Sequence, residues 1–251
     1  MTLSDGQLDR YARNIILKEI GGSGQRQLLA AKVAVIGAGG IGSPCILYLA
    51  AAGVGTITVI DDDEVSLSNL QRQVLHGTAD IGRAKVLSAT DAVGRLTNDV
   101  AIAGVTERLH ADNAAALLAG HNVIADGSDS FATRLAVADA AFSLRIPLVA
   151  AAVGPFEGQI SVHRGWDPMK PCYRCLVGSP LDRDGETCAD QGVLGALTGV
   201  MGALQAIEVI RCIVPFGTGL DERLLLFDAL SMRMRMIALP KDPACPACRA
   251  A

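Results

Sequence analysis

Three observations predict an α/β fold. Short apolar, β-branched runs alternate with helix-length segments between Lys32 and Ala152. The glycine-rich stretch Gly37 to Gly42 separates the first such run from the first helical segment. Beyond Ala152 the pattern becomes strict alternation, in Gln159 to His163 and again in Met232 to Met236. Continuous apolar runs suit strands buried on both faces, as in parallel sheets, and alternating runs suit strands with one wet face. The expected architecture is a Rossmann-like, mostly parallel sheet with an antiparallel extension.

Each element follows from local chemistry. Lys32 to Ile36 is the first strand. Ser43 and Pro44 predict a helix start, with serine as cap and proline at the first helical position, where a missing N–H costs nothing. Ile46, Leu47, Leu49 and Ala50 face the core, and Gly53 and Gly55 end the helix. Thr56 to Ile60 is the second strand. Arg83 to Leu96 is a helix with Val86, Leu87, Thr90 and Val93 on one face, and Val100 to Val105 is a strand. Asp112 to Leu118 is a short helix capped by Asp112. Asn122 to Ala125 is a strand ending at Asp126, Ser130 to Arg145 a helix, and Leu148 to Ala152 a strand. A polar stretch from Arg164 to Asp190 precedes a long helix at about Gly192 to Val214. Leu224 to Phe227 and the alternating Met232 to Met236 are the last strands.

Composition narrows the function. Hydrophobic residues make up 50% and charged residues 19%, which describes a globular chain rather than a disordered one. A net charge of −4 supplies no basic excess for a nucleic-acid backbone, so no nucleic-acid partner is expected. Val33 to Ile60 carries no charge and is long enough to cross a bilayer, yet its six glycines and Pro44 break it into strand, turn, helix and strand. The N-terminus, MTLSDG, has no basic-plus-apolar leader, so a cytoplasmic protein without a membrane partner is expected. Disulfides are a poor default there for the seven cysteines. Cys45 and Cys212, in apolar helical stretches, read as buried thiols.

The first chemical signal is Gly37-Ala-Gly39-Gly40-Ile-Gly42, between a strand and a helix. Such glycines let backbone N–H groups approach a phosphate at a helix N-terminus. Asp61, at the end of the second strand, stands where a carboxylate holds ribose hydroxyls. Ser68-Asn69-Leu70-Gln71-Arg72-Gln73 and Lys85 follow. Arg72 and Lys85 add more positive charge than one pyrophosphate needs, which suits a triphosphate; an ordinary solvated helix face is the alternative. Asp129, after a buried strand, is placed to meet phosphates through magnesium, or else to cap the helix that follows. Cys172/Cys175 and Cys245/Cys248 form two Cys-x-x-Cys pairs with 69 residues between them. Four thiolates are the usual set for a structural zinc, and thiol exchange is the rival reading.

The set Arg10-Tyr-Ala-Arg13-Asn14, GAGGIG, SNLQRQ, Lys85, Cys172-Tyr-Arg-Cys175 and Cys245-Pro-Ala-Cys248 resembles the bacterial MoeB/ThiF adenylyltransferases, relatives of the ubiquitin-activating enzymes. The resemblance runs from about Asp9 to Cys248. It implies ATP-dependent activation of the C-terminal glycine of a ubiquitin-like sulfur carrier ending in Gly-Gly, for molybdopterin or thiamine biosynthesis. It also implies roles for residues. Gly37, Gly39, Gly40 and Gly42 hold phosphates and Asp61 the ribose. Ser68, Asn69, Leu70, Gln71, Arg72 and Lys85 bind and neutralise the triphosphate. Asp129 holds Mg2+, with Ser130 beside it, and the four paired cysteines hold Zn2+. Arg13 stands where the family's partner subunit contributes an arginine, which implies a homodimer. Cys188, in a polar segment, corresponds to the region where larger relatives carry a thioester. The family usually has Thr-Asp-Asn where this chain has Ser128-Asp129-Ser130, so the metal ligand is kept and a neighbouring amide is lost.

Residues 1–251 are therefore expected to form one adenylation domain. It would comprise an N-terminal helical segment at 1–30, a nucleotide-binding half at 31–155, and a mixed-sheet, zinc-binding half at 156–251. Two rivals remain: an NAD-dependent oxidoreductase, suggested by GAGGIG and Asp61 alone, and a non-catalytic scaffold that binds a carrier. The first lacks a hydride-transfer acid–base pair, because His76, His110, His121 and His163 form no recognisable constellation.

Overall fold

Lys32–Ile36 (β1), Thr56–Ile60 (β2), Ala101–Val105 (β3), Val123–Asp126 (β4) and Leu148–Val153 (β5) form the parallel part of one sheet in the computed structural model, which describes residues 2–178 and 192–249. Glu157–His163 (β6), Arg223–Asp228 (β7) and Arg233–Ala238 (β8) extend it antiparallel, in the order β3-β2-β1-β4-β5-β6-β7-β8. The expected parallel sheet and antiparallel extension are both present. Strand order reverses between β1 and β4, and in open α/β sheets ligands bind beyond the strand ends at such a switch point.

Helices cover the sheet on both sides. Asp5–Arg10 (α1), Ala12–Ile15 (α2) and Gly21–Ala30 (α3) precede β1, and Gly42–Ala51 (α4) follows it. Lys85–Leu96 (α5), Ala111–Leu118 (α6) and Phe131–Leu144 (α7) link the parallel strands, Tyr173–Val177 (α8) is short, and Gly195–Ile213 (α9) precedes β7. One core packs α3, α4, α5 and α9 on the sheet through Leu28, Leu49, Val93 and Met201. The other packs α6 and α7 through Leu118, Val137 and Ile124. Helix α9 is long and apolar enough to cross a membrane by length and composition alone. Here it lies against α4, β5 and β6, as a core helix does.

Several helix ends differ from the sequence expectation. Ser43 does not cap α4, which already begins at Gly42; the Ser43 hydroxyl donates to the Ala38 carbonyl at 3.3 Å instead. Pro44 still falls in the first turn, where helical N–H groups have no partner. A Cβ at Gly42 would sit 1.8 Å from the Gly37 carbonyl oxygen, so the turn closes only because glycine stands there. Helix α6 is capped by His110, whose ring nitrogen accepts from the Asp112 N–H at 3.3 Å, not by Asp112. Ser130, rather than Asp129, caps α7 by accepting from the Thr133 N–H. On α5 the buried face is Lys85, Val86, Ser88, Ala89, Ala92 and Val93, while Leu87 and Thr90 are exposed. Strand β8 is an edge strand exposed on both faces, so its alternation marks no core-facing side.

His76 ties the glycine turn to α5. Its Nε2 lies 2.9 Å from the Ala38 carbonyl and its Nδ1 lies 2.8 Å from the Ser88 hydroxyl. Burial holds its pKa below the ordinary 6.5. The unfolded chain therefore binds the extra proton more readily, and the His76 contribution is full above pH 6.5 and lost as pH falls below it. We expect His76→Gln to lose part of this dependence. Between about pH 7 and pH 5 its thermal midpoint should fall less than that of the wild type, measured by differential scanning calorimetry across that range.

Candidate active site and metal centre

An open cleft of about 280 Å3 lies at the switch point, beyond the C-terminal ends of β1, β2 and β4. Its wall gathers Gly37, Gly39, Gly40, Asp61, Arg72, Lys85, Asp129 and Ser130 from distant parts of the sequence. The glycine turn supplies first-turn N–H groups of α4 and the positive end of its dipole.

The charges in the cleft are arranged in advance. Asp61 accepts from the Ala38 N–H at 2.7 Å and the Asp63 N–H at 2.9 Å, which fastens its carboxylate to the glycine turn. Burial raises the Asp61 pKa, and Lys85 opposes that rise. Lys85 is itself buried, with its Nζ 2.7 Å from Asp63 and 3.8 Å from Asp61. A buried ammonium is costly without such partners. Arg72 donates to the Ser68 carbonyl at 3.0 Å, which holds its guanidinium at the cleft wall. Asp129 is exposed and free of the capping role, so its carboxylate can take a hydrated magnesium, which needs few protein ligands.

Other expected residues stand elsewhere. Gly42, Ser68, Asn69, Leu70 and Gln71 are not part of the cleft wall. Gly42 starts α4, and Leu67–Asn69 is a short 3-10 turn in which Asn69 accepts from the Ser66 N–H at 3.2 Å. Arg13 is exposed on α2 and does not line the cleft of its own chain. Cys188 lies outside the described residues. The wall also contains Gln73, the last residue of the run that begins at Ser68, and Arg108, Arg134 and Thr198, which sequence reading did not single out. Thr198 sits inside an apolar helix, and only the packing of α9 on the turn brings it near: a Cβ at Gly40 would meet it at 3.0 Å.

The four paired cysteines converge. Their sulfurs all lie within 4.8 Å of one another, with separations of 3.9 Å for Cys172–Cys175, 3.6 Å for Cys172–Cys245 and 3.5 Å for Cys175–Cys248. A disulfide requires about 2.05 Å. Four thiolates at about 2.3 Å around zinc are about 3.8 Å apart. The set fits a closed tetrahedral zinc site with no position left for substrate. Cys45 and Cys212 take no part, and burial pushes their thiols up, Cys212 to about 12.

A doubly wound sheet with a glycine turn at its switch point and a tetracysteine cluster defines a narrow class of α/β proteins. Residues 11–247 match the ThiF family, and the chain belongs to it. It is 41% identical to a sulfur carrier protein adenylyltransferase of Thermus thermophilus, over 96% of this chain and 91% of that one. It is 46% identical to the adenylyltransferase and sulfurtransferase MOCS3 of Anopheles gambiae, over 98% of this chain and 56% of that one. The chain thus spans little more than half of MOCS3. Among solved structures, E. coli MccB with a MccA derivative superposes with a TM-score of 0.84 at 21% identity, over 95% of this chain and 74% of that one, a likeness of fold.

The tetracysteine cluster pins the C-terminal segment to α8. Metal binding at such a cluster contributes to folding free energy. Purified protein is expected to hold one zinc per chain by elemental analysis. Cys245→Ser should lose that zinc and lower the thermal midpoint by roughly 10 °C.

Proposed function

We propose that the chain is an ATP-dependent adenylyltransferase that activates the C-terminal glycine of a small ubiquitin-like sulfur carrier as an acyl-adenylate. The convergence of the glycine turn, Arg72, Lys85 and Asp129 in one cleft of a ThiF-family chain carries this reading. The Thermus relative, named for adenylating a sulfur carrier, supports it. Molybdopterin or thiamine biosynthesis is the setting such a carrier serves.

The chemistry explains why these groups are needed. A carboxylate is a poor electrophile because attack on it would expel oxide. When its oxygen instead attacks the α-phosphorus of ATP, a carboxyl–phosphate bond forms and the bond to the β-phosphate breaks. Pyrophosphate leaves, and AMP becomes a good leaving group on the carbonyl. The attacking anion and the triphosphate repel each other, so fixed cations and backbone dipoles must hold them in line. The glycine turn cradles phosphates and Asp61 takes the ribose. Lys85 exchanges Asp63 for phosphate oxygen, and Arg72 faces the charge that develops. Magnesium, when bound beside Asp129, offsets charge on the phosphates.

The homodimer belongs to the same reading. Arg13 is exposed and absent from its own cleft wall, which supports its insertion into the cleft of a second copy. An NAD-dependent oxidoreductase is disfavoured by the Lys85–Asp63 pair and Arg72, which place more cationic charge at the turn than a dinucleotide needs.

Two measurements test these assignments. Arg72→Ala should lower carrier-dependent pyrophosphate exchange by about 100-fold or more; exchange at the wild-type rate would remove Arg72 from the mechanism. Arg13→Ala and Asp129→Ala proteins, each inactive alone, should recover activity when mixed, because a mixed dimer contains one site with both residues intact. No recovery on mixing, with exchange of subunits verified, would place Arg13 outside the site.

A further inference from the structure

Gln73 stands in the cleft wall with a side chain that the protein itself does not use. The residue is only 4% exposed. Its carboxamide makes no hydrogen bond among the described residues, and its Oε1 is sealed from solvent. Buried polar groups are paired as a rule, and an unpaired one costs free energy. The backbone of Gln73, by contrast, is engaged on both sides. Its N–H donates to the Asn69 carbonyl at 2.9 Å, and its carbonyl accepts from the His76 N–H at 3.1 Å. Helix α9 presses on the same segment. A Cβ at Gly195 would fall 2.3 Å from the Gln71 carbonyl oxygen, and the Thr198 hydroxyl lies 3.4 Å from the Arg72 carbonyl oxygen. The amide is therefore held in place by its main chain and not by partners of its own.

The place of that amide points to the ligand atom it serves. A Cβ built on Gly39 would lie 3.8 Å from the Gln73 Nε2, so the amide nitrogen stands over the middle of the glycine turn. Next to Gly39, the Ala38 N–H donates at 2.7 Å to Asp61, the carboxylate proposed to take the ribose. The phosphate nearest the ribose of a nucleotide is the α-phosphate. A nucleotide that bridges Asp61 and the turn therefore sets its α-phosphate against Gly39. We infer that Gln73 is a further nucleotide-binding residue, whose Nε2–H donates to a non-bridging oxygen of the α-phosphate. A neutral donor suits this position. Arg72 and Lys85 already supply charge at the wall, and another buried cation would need its own partner before the ligand arrives. An amide unpaired within the protein gains its hydrogen bond only when the phosphate enters.

This rests on the proposed use of ATP, and the test separates the two. The full chain is compared with Gln73→Met, which keeps the length of the side chain and removes its amide. Thermal midpoints are measured without nucleotide. ATP–magnesium is titrated calorimetrically without carrier, and AMP, whose one phosphate is the α-phosphate, is measured by competition against it. The midpoint of Gln73→Met should equal or exceed that of the wild type, because an unpaired buried amide has been removed. Its dissociation constants for ATP–magnesium and for AMP should both rise about ten-fold, the order expected for losing a hydrogen bond to a charged group. A merely structural glutamine would not give weaker binding at undiminished stability. Wild-type affinity for both nucleotides in Gln73→Met overturns the inference, as does a loss of affinity that only accompanies a lowered midpoint. A loss seen with ATP–magnesium but not with AMP assigns Gln73 to another part of the ligand and overturns it too. Wild-type protein that binds ATP–magnesium but exchanges no pyrophosphate with any Gly-Gly carrier would defeat the proposed function alone. A wild type that binds no ATP defeats both.

Discussion

Helix α9 lies directly on the glycine turn, and the cleft depends on that contact. A Cβ at Gly202 would fall 2.2 Å from the Ile41 carbonyl oxygen and 2.5 Å from the Pro44 ring. The backbone of α9 therefore touches the first turn of α4, and Thr198 closes against Gly40 from the same helix. Such close approach excludes water from behind the turn and fixes the direction of its N–H groups. Because α9 also packs on β5 and β6, it fixes the antiparallel extension relative to the glycine turn. One helix thereby joins the two halves of the sheet across the switch point.

The cleft stores its charge in pairs. Lys85 is buried between Asp63 and Asp61. Each ion would be costly alone in a low-dielectric wall. Pairing keeps the cations in place before ligand arrives, so a polyphosphate need only replace an aspartate as partner, with little reorganisation. Asp129 differs, being exposed in the turn before α7. That combination, fixed cations and one accessible carboxylate, suits a triphosphate that brings its own metal.

The tetracysteine cluster does a separate job with the same economy of elements. Cys172 is the N-cap of a short helix that contains Cys175, and Cys245 and Cys248 bring back the last turn of the described chain. The cluster closes a long loop in sequence, which is where a cross-link removes most freedom from the unfolded chain.

Much of this was legible in sequence because the signals are local. The parallel strands announced themselves as short apolar runs, the glycine turn by its spacing, and the converging cysteines by two Cys-x-x-Cys pairs. Helix caps were read less well: Ser43, Asp112 and Asp129 have the right chemistry, but tertiary contacts gave the ends to Gly42, His110 and Ser130. Strand β8 alternates as a half-buried strand does, yet it lies at the sheet edge with no layer against it. Periodicity reports which residues share a face, not whether anything covers that face. The sequence by itself determined the elements, the glycine turn and each Cys-x-x-Cys pair, since each depends on residues a few positions apart. Only the tertiary structure decided that Lys85 is paired with Asp63 and that Thr198 meets Gly40. Those contacts join residues far apart in the chain, and burial, which fixes their strength, exists only once the sheet and helices have packed.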